Sequence, residues 1–118
     1  MHADLRITAM KTALVALPLE RTLRTSIHEI STVCCLLVTL ETNSGIVGEG
    51  YGFCFDPARL ASIKQFTDTL APIVMNRDPH EVQAFWREFI RSTNFYGQSG
   101  ISVIAYNPID IACWDLIG

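Results

Sequence analysis

The run Ile109-Asp110-Ile111-Ala112-Cys113-Trp114-Asp115-Leu116-Ile117-Gly118 constrains this chain more than any other stretch. Its apolar residues recur at helical spacing and a glycine closes it, so it reads as a buried helix that needs cover. At 118 residues the chain has the length of one domain, and 49% of it is apolar. That share is high for so small a core, so part of the apolar surface is expected to face a partner. The longest unbroken apolar run, Val33 to Val38, is far short of the roughly 18 residues of a membrane span. Asp4, Arg6 and Lys11 interrupt the stretch where a signal peptide would stay apolar, so the sequence predicts a cytoplasmic chain with no membrane partner.

Charge narrows the partners further. Twelve acids against nine bases give a formal charge of −3, spread evenly, which lacks the basic footprint of a nucleic-acid binder. Of the four cysteines, Cys34 and Cys35 are adjacent in a strand-like run and point to opposite faces, and no Cys or His pair has metal-ligand spacing. They read as reduced thiols, and His2, His28 and His80 as isolated groups.

The first half predicts strands. Arg6 to Leu17 is strand-like and Pro18 should end it, because proline donates nothing to a ladder. Leu19 to Glu29 shows neither a period of 2 nor of 3.6 and reads as an exposed functional loop. Ile30 to Leu40 carries Val, Leu, Thr and Cys on both faces, as a central strand would. Thr42-Asn43-Ser44-Gly45 is a turn signal, so Ile46 to Phe53 should return antiparallel.

The second half predicts helices. Asp56-Pro57 places a capping acid before a proline at the first helical position, with Leu60, Ile63, Phe66 and Leu70 on one face. Asp78-Pro79-His80-Glu81 repeats the device, with Glu81 in the capping-box position and Val82, Phe85, Trp86, Phe89 and Ile90 as the stripe. Both stripes are expected on one face of the sheet. After a polar connection from Asn94 to Gly100, a third helix runs through Pro108, which should kink it or start a new helix capped by Asn107. The fold class is therefore α+β: a three-stranded antiparallel meander followed by a helical bundle, one unit over residues 1–118.

Pro18-Leu19, the glycine-rich hairpin strand Gly45-Ile46-Val47-Gly48-Glu49-Gly50-Tyr51-Gly52-Phe53 and the Ile109-Asp110-Ile111-Ala112-x-Trp114-Asp115 helix carry a resemblance. In this order the chain resembles the N-terminal capping domain of the enolase superfamily, mandelate racemase and muconate lactonizing type, nearest to the racemase pattern. The resemblance implies a following (β/α) barrel that is not in the chain, with Mg²⁺ held by acids of that barrel and Lys or His bases that remove the α-proton of a carboxylate. It implies no catalytic residue and no metal ligand here. An exposed Ile109 to Leu116 face is expected wherever the barrel is missing.

What the resemblance assigns to this chain is the lid, formed by Leu19 through Ile30 and Tyr51 through Asp56. Leu23, Thr25, Ile30 and Phe55 match substrate-facing positions, and Tyr51 and Phe53 flank them as apolar support. Arg21, Arg24 and His28 depart from the racemase pattern. Arg24 suits a carboxylate or polar substrate, while the plainer reading is a solvated loop. Phe66, Phe85, Trp86, Phe89 and Trp114 recur at helical spacing and read as core or interdomain packing. The implied partners are a small-molecule carboxylate (a 2-hydroxy acid or an acid sugar), the C-terminal barrel and further copies in a homo-oligomer. The implied activity is that of a Mg²⁺-dependent racemase (isomerase) or, alternatively, an acid-sugar dehydratase (lyase). A third reading is a non-catalytic binding or dimerisation module.

Overall fold

A computed structural model describes residues 4–24, 26, 29–54, 57–95 and 100–118. Strands β1 (Ile7–Arg24), β2 (Glu29–Thr42) and β3 (Val47–Cys54) form one antiparallel sheet in that order. Helices α1 (Pro57–Thr69), α2 (Val82–Ser92) and α3 (Ile101–Ile117) follow, with a 3₁₀ turn at Ala71–Ile73. The α+β meander and helices expected from the sequence are present.

The turn between β2 and β3 forms where its residues allow it. Gly45 takes φ +85° with open space around it, and the Thr42 hydroxyl donates to the Ile46 carbonyl at 2.7 Å. From there the alternation of strand side chains sorts the sheet into two faces. Cys34, Leu36, Val38 and Leu40 are buried on the helix side, and Leu37 stands on the other side. Pro18 does not end β1. It holds register with Thr32, the register slips once, and pairing resumes at Leu23↔Ile30 and Arg24↔Glu29. β1 is an edge strand, where a missing N–H need break no ladder bond, so the loop expected over Leu19–Glu29 contracts to residues 25–28.

The helices correct three further expectations. Asp78 does not cap α2: its carboxylate accepts from the His80 backbone N–H at 2.9 Å and meets the imidazole at 2.7 Å, which holds a turn instead. α2 then begins at Val82, and Glu81 makes no side-chain cap bond because its carboxylate pairs with Arg77 at 3.3 Å. The α2 stripe also misses the sheet. Phe85 and Phe89 are buried where α2 packs on α3 and the 3₁₀ turn, with Phe89 stacked on Tyr106 at 4.5 Å. It is α1 that meets β1 and β2, and the buried Thr67 hydroxyl ties it to α3 through the Ala105 carbonyl at 2.7 Å.

Pro108 neither divides α3 nor leaves Asn107 as a cap, for the helix runs through both. Its packing explains why the proline is tolerated. Gly48, Gly50 and Gly52 share the helix-facing side of β3, and α3 rests its own backbone on them. A Cβ at Gly50 would collide with the Pro108 carbonyl oxygen and lie 2.7 Å from the Ala112 nitrogen. The end of α3 is fixed laterally by Asp115, whose carboxylate accepts from the Glu49 backbone N–H at 2.9 Å. Ile109, Ala112, Cys113 and Leu116 are consequently covered by the chain's own sheet, against the expectation of an exposed face. Of the exposed residues of α3, the apolar Ile104, Ile111 and Trp114 lie on its opposite side.

Candidate functional site

One end of the sheet is built differently from the other. β3 ends in register at Cys34↔Cys54, while β1 and β2 continue as a pair through Leu17↔Val33, Pro18↔Thr32, Leu23↔Ile30 and Arg24↔Glu29. A two-stranded ribbon therefore projects past the third strand. From Cys34 to Glu29 the overhang is about 17 Å at 3.4 Å per residue. At its base β3 ends at Cys54. The arrangement is a flap, paired at its root and again at its tip, with residues 19–22 of β1 between the two paired stretches.

Leu23 and Ile30 are register partners near the ribbon tip, and the exposed Arg24 pairs with Glu29 at its last position. Phe53 belongs to β3 opposite Cys35, at the flap's base. Tyr51 is opposite Leu37 on the sheet face away from the helices and 59% exposed. Thr25, His28 and Phe55, together with the capping residue Asp56, lie outside the described residues. Most of the segments expected as loops are thus strand ends, with Leu23, Arg24 and Ile30 brought together by pairing.

The sequence reading missed a second concavity. Between α2 and α3 an open cleft of 370 Å³ is lined by Val82, Gln83, Trp86, Arg87, Asp110 and Trp114. Its signal in the sequence was the four-residue spacing of Asp110 and Trp114 on one helix side. Burial pushes the Asp110 carboxyl above its ordinary range, and a hydrogen bond with the Trp114 side chain offsets part of that. Behind it the Tyr106 hydroxyl is buried without a hydrogen-bond partner among the described residues, and burial holds its pKa well above the usual phenol value. The Cys113 thiol, also buried, is pushed up to about 12. Among the described residues no three His, Cys, Asp or Glu side chains converge as cation ligands, so these residues do not fit a Mg²⁺ site.

Residues 7–118 match the mandelate racemase / muconate lactonizing enzyme N-terminal domain, and the chain belongs to that family. It is 29% identical over 116 residues to D-galactarolactone cycloisomerase of Agrobacterium fabrum, covering 97% of this chain and 29% of the relative. It is 26% identical to L-talarate/galactarate dehydratase of Salmonella typhimurium, covering 94% of this chain and 29% of that enzyme. Among solved structures it is similar to a racemase from Streptomyces coelicolor with bound magnesium, with a TM-score of 0.87 and 25% identity over 94% of this chain and 31% of that one. The chain spans about 30% of the length of these relatives.

Proposed function

We propose that this chain is the substrate-capping part of a Mg²⁺-dependent enzyme that removes the α-proton of an acid sugar and eliminates water from it. The observation that carries the reading is the flap: a paired ribbon overhanging the sheet with Arg24 at its last register position and Leu23↔Ile30 just behind. Such a ribbon excludes water from a reaction beneath it and chooses the substrate by what its tip presents. The Arg24 guanidinium suits a carboxylate or hydroxyl of a polyhydroxylated acid, with Thr25 and His28 beside it in sequence. Leu23, Ile30 and Phe55 supply apolar cover, with Phe53 and Tyr51 flanking. The acid-sugar substrates named for the cycloisomerase and the dehydratase support this choice of class.

The chemistry belongs in this reading to a following barrel, which would supply the magnesium site and the bases. That barrel docks on the bare side of α3, where Ile104, Ile111 and Trp114 are exposed. A second reading, racemisation of a 2-hydroxy acid, is favoured by the likeness to the Streptomyces coelicolor racemase. The full-length protein separates them in ²H₂O. Release of a 2-keto acid from galactarate-type diacids supports dehydration, and deuterium at the α-carbon of recovered mandelate-type acids without a keto product supports racemisation. Neither outcome with either substrate class would refute the capping role in α-proton chemistry.

A further inference from the structure

The cleft between α2 and α3 takes no part in the flap. Two exposed indoles line it, Trp86 on α2 and Trp114 on α3, with the half-buried Asp110 one helical turn before Trp114. The Trp114 indole N–H donates to the Asp110 carboxylate, which occupies one of its roughly four lone-pair directions. Among the described residues Asp110 has no ion-pair partner. Arg87 lines the same cleft but is exposed and makes no ion pair with it. The Asp110 charge instead reaches the buried Tyr106 hydroxyl and Cys113 thiol and helps to raise the pKa of both, so it acts on its neighbours without a cation to offset it. That chemistry selects among occupants. An apolar side chain would complete the burial of the carboxyl and leave it unpaired, and an acid would be repelled. A cation satisfies the remaining lone pairs, and the faces of both indoles attract it as well. A guanidinium suits the place better than an ammonium, because it is flat, stacks on aromatic rings, is weakly hydrated and donates to a carboxylate in pairs.

We propose that the cleft holds an arginine side chain of the following barrel, its guanidinium stacked on Trp86 and Trp114 and donating to Asp110. The proposal rests on the reading of this chain as the cap of such a barrel. Trp114 joins the two, since it belongs both to the cleft and to the exposed side of α3 on which the barrel docks. Apolar contact through Ile104 and Ile111 is non-directional and leaves the docked domain free to slide. A guanidinium held by a carboxylate and two rings fixes one position, so the pair sets where the barrel sits on α3.

Residue-resolved labelling of the full-length protein tests this. Phenylglyoxal, which modifies exposed guanidinium groups, should leave one arginine beyond Gly118 protected in the native protein and react with it about tenfold faster in Asp110→Asn. Hydroxyl-radical oxidation should find Trp86 and Trp114 protected in the native protein and open in Asp110→Asn. Replacing the mapped arginine by alanine leaves every bond within this chain intact and should open both indoles equally, with the double variant no more open than either single one. Hydrogen exchange across α2 and α3 should be unchanged in these variants, whereas an Asp110 that only supports its own helix would alter exchange there and release no arginine. Protected indoles with no arginine released, or release only of an arginine within residues 1–118, would overturn the proposal and leave the capping reading standing. Indoles fully open to oxidation in the native protein would overturn the docking of a barrel on α3 along with it.

Discussion

Replacing Gly50 by alanine should unseat α3 from the sheet. The added Cβ would meet the Pro108 carbonyl oxygen, with the Ala112 nitrogen at 2.7 Å and the Pro108 carbonyl carbon at 3.0 Å. All three are main-chain atoms of a helix already packed on the sheet, so no rotamer change relieves the clash. Overpacking a core costs about 1–3 kcal/mol, and with backbone on the receiving side the upper end, about 3 kcal/mol, applies. At Gly48 the Ala112 carbonyl oxygen and Leu116 Cγ both lie 2.5 Å away, and only the leucine can turn aside, so the cost is comparable or slightly lower. Gly52 is the internal control. Its Cβ would find Pro108 Cγ at 3.3 Å, a small adjustment that the alanine's lower unfolded-state entropy, worth about 0.4–1 kcal/mol, largely offsets. Urea unfolding followed by tryptophan fluorescence and circular dichroism reads the series. In a thermal melt Gly50→Ala should lower Tm by roughly 12–24 °C at 4–8 °C per kcal/mol for a domain near this size. A Gly50→Ala protein within about 0.5 kcal/mol of the parent, or a Gly52→Ala protein less stable than it, would refute direct seating of the helix backbone on β3.

Three further outcomes follow from individual side chains. Tyr106→Phe removes a buried hydroxyl that has no partner among the described residues and should leave stability unchanged or raise it by up to about 1 kcal/mol, whereas a loss above that in urea titrations would show that the hydroxyl is hydrogen-bonded. Asp110 has a folded pKa raised by burial, so the folded protein keeps its proton to higher pH than the unfolded chain, and the stability this contributes is lost as pH rises from about 4 through the folded value. Asp110→Asn should flatten that fall and be at least as stable as the parent at pH 7, and a less stable variant there would show that the carboxylate's bond with Trp114 outweighs its burial. Arg77→Lys should destabilise by about 1–2 kcal/mol, because one guanidinium serves Glu88 at 2.6 Å, Glu81 at 3.3 Å and the Ile73 carbonyl at 3.2 Å while lying 4.9 Å from the centre of the Phe85 ring. A melting curve superimposable on the parent's would remove Arg77 from the account.

Local chemistry was legible where a residue acts on its own neighbours. Asn43 and Gly45 announce the hairpin because the turn needs a left-handed glycine, and Pro57 opens α1 because the first helical position wastes no N–H. Pro18 was misread since only the finished sheet says that β1 is an edge. Asp78 was misread for a related reason: its carboxylate had two backbone amides within reach, in a helix or in a turn, and Arg77 drew Glu81 out of the capping arrangement. The three glycines of β3 looked like hairpin punctuation. Their role depends on a helix more than fifty residues later in the chain, which no local pattern can convey. The flap residues were located by resemblance, yet their grouping comes from the Leu23↔Ile30 and Arg24↔Glu29 pairs, which restart after a register slip that sequence spacing does not reveal.

That ribbon also sets how the protein can vary. Beyond Cys34 β2 pairs with β1 alone among the described residues, so residues added there leave the three-stranded register unchanged. Adding one residue to each strand lengthens the reach by about 3.4 Å and moves the tip residues onto the opposite face, while adding two to each keeps every side chain on its original face. A single insertion in one strand must instead be absorbed as a bulge, and the slip between Pro18 and Leu23 is already a place that tolerates one. Changes at the tip can therefore accumulate in length as well as in residue type, without reopening the packing that holds α3 to β3.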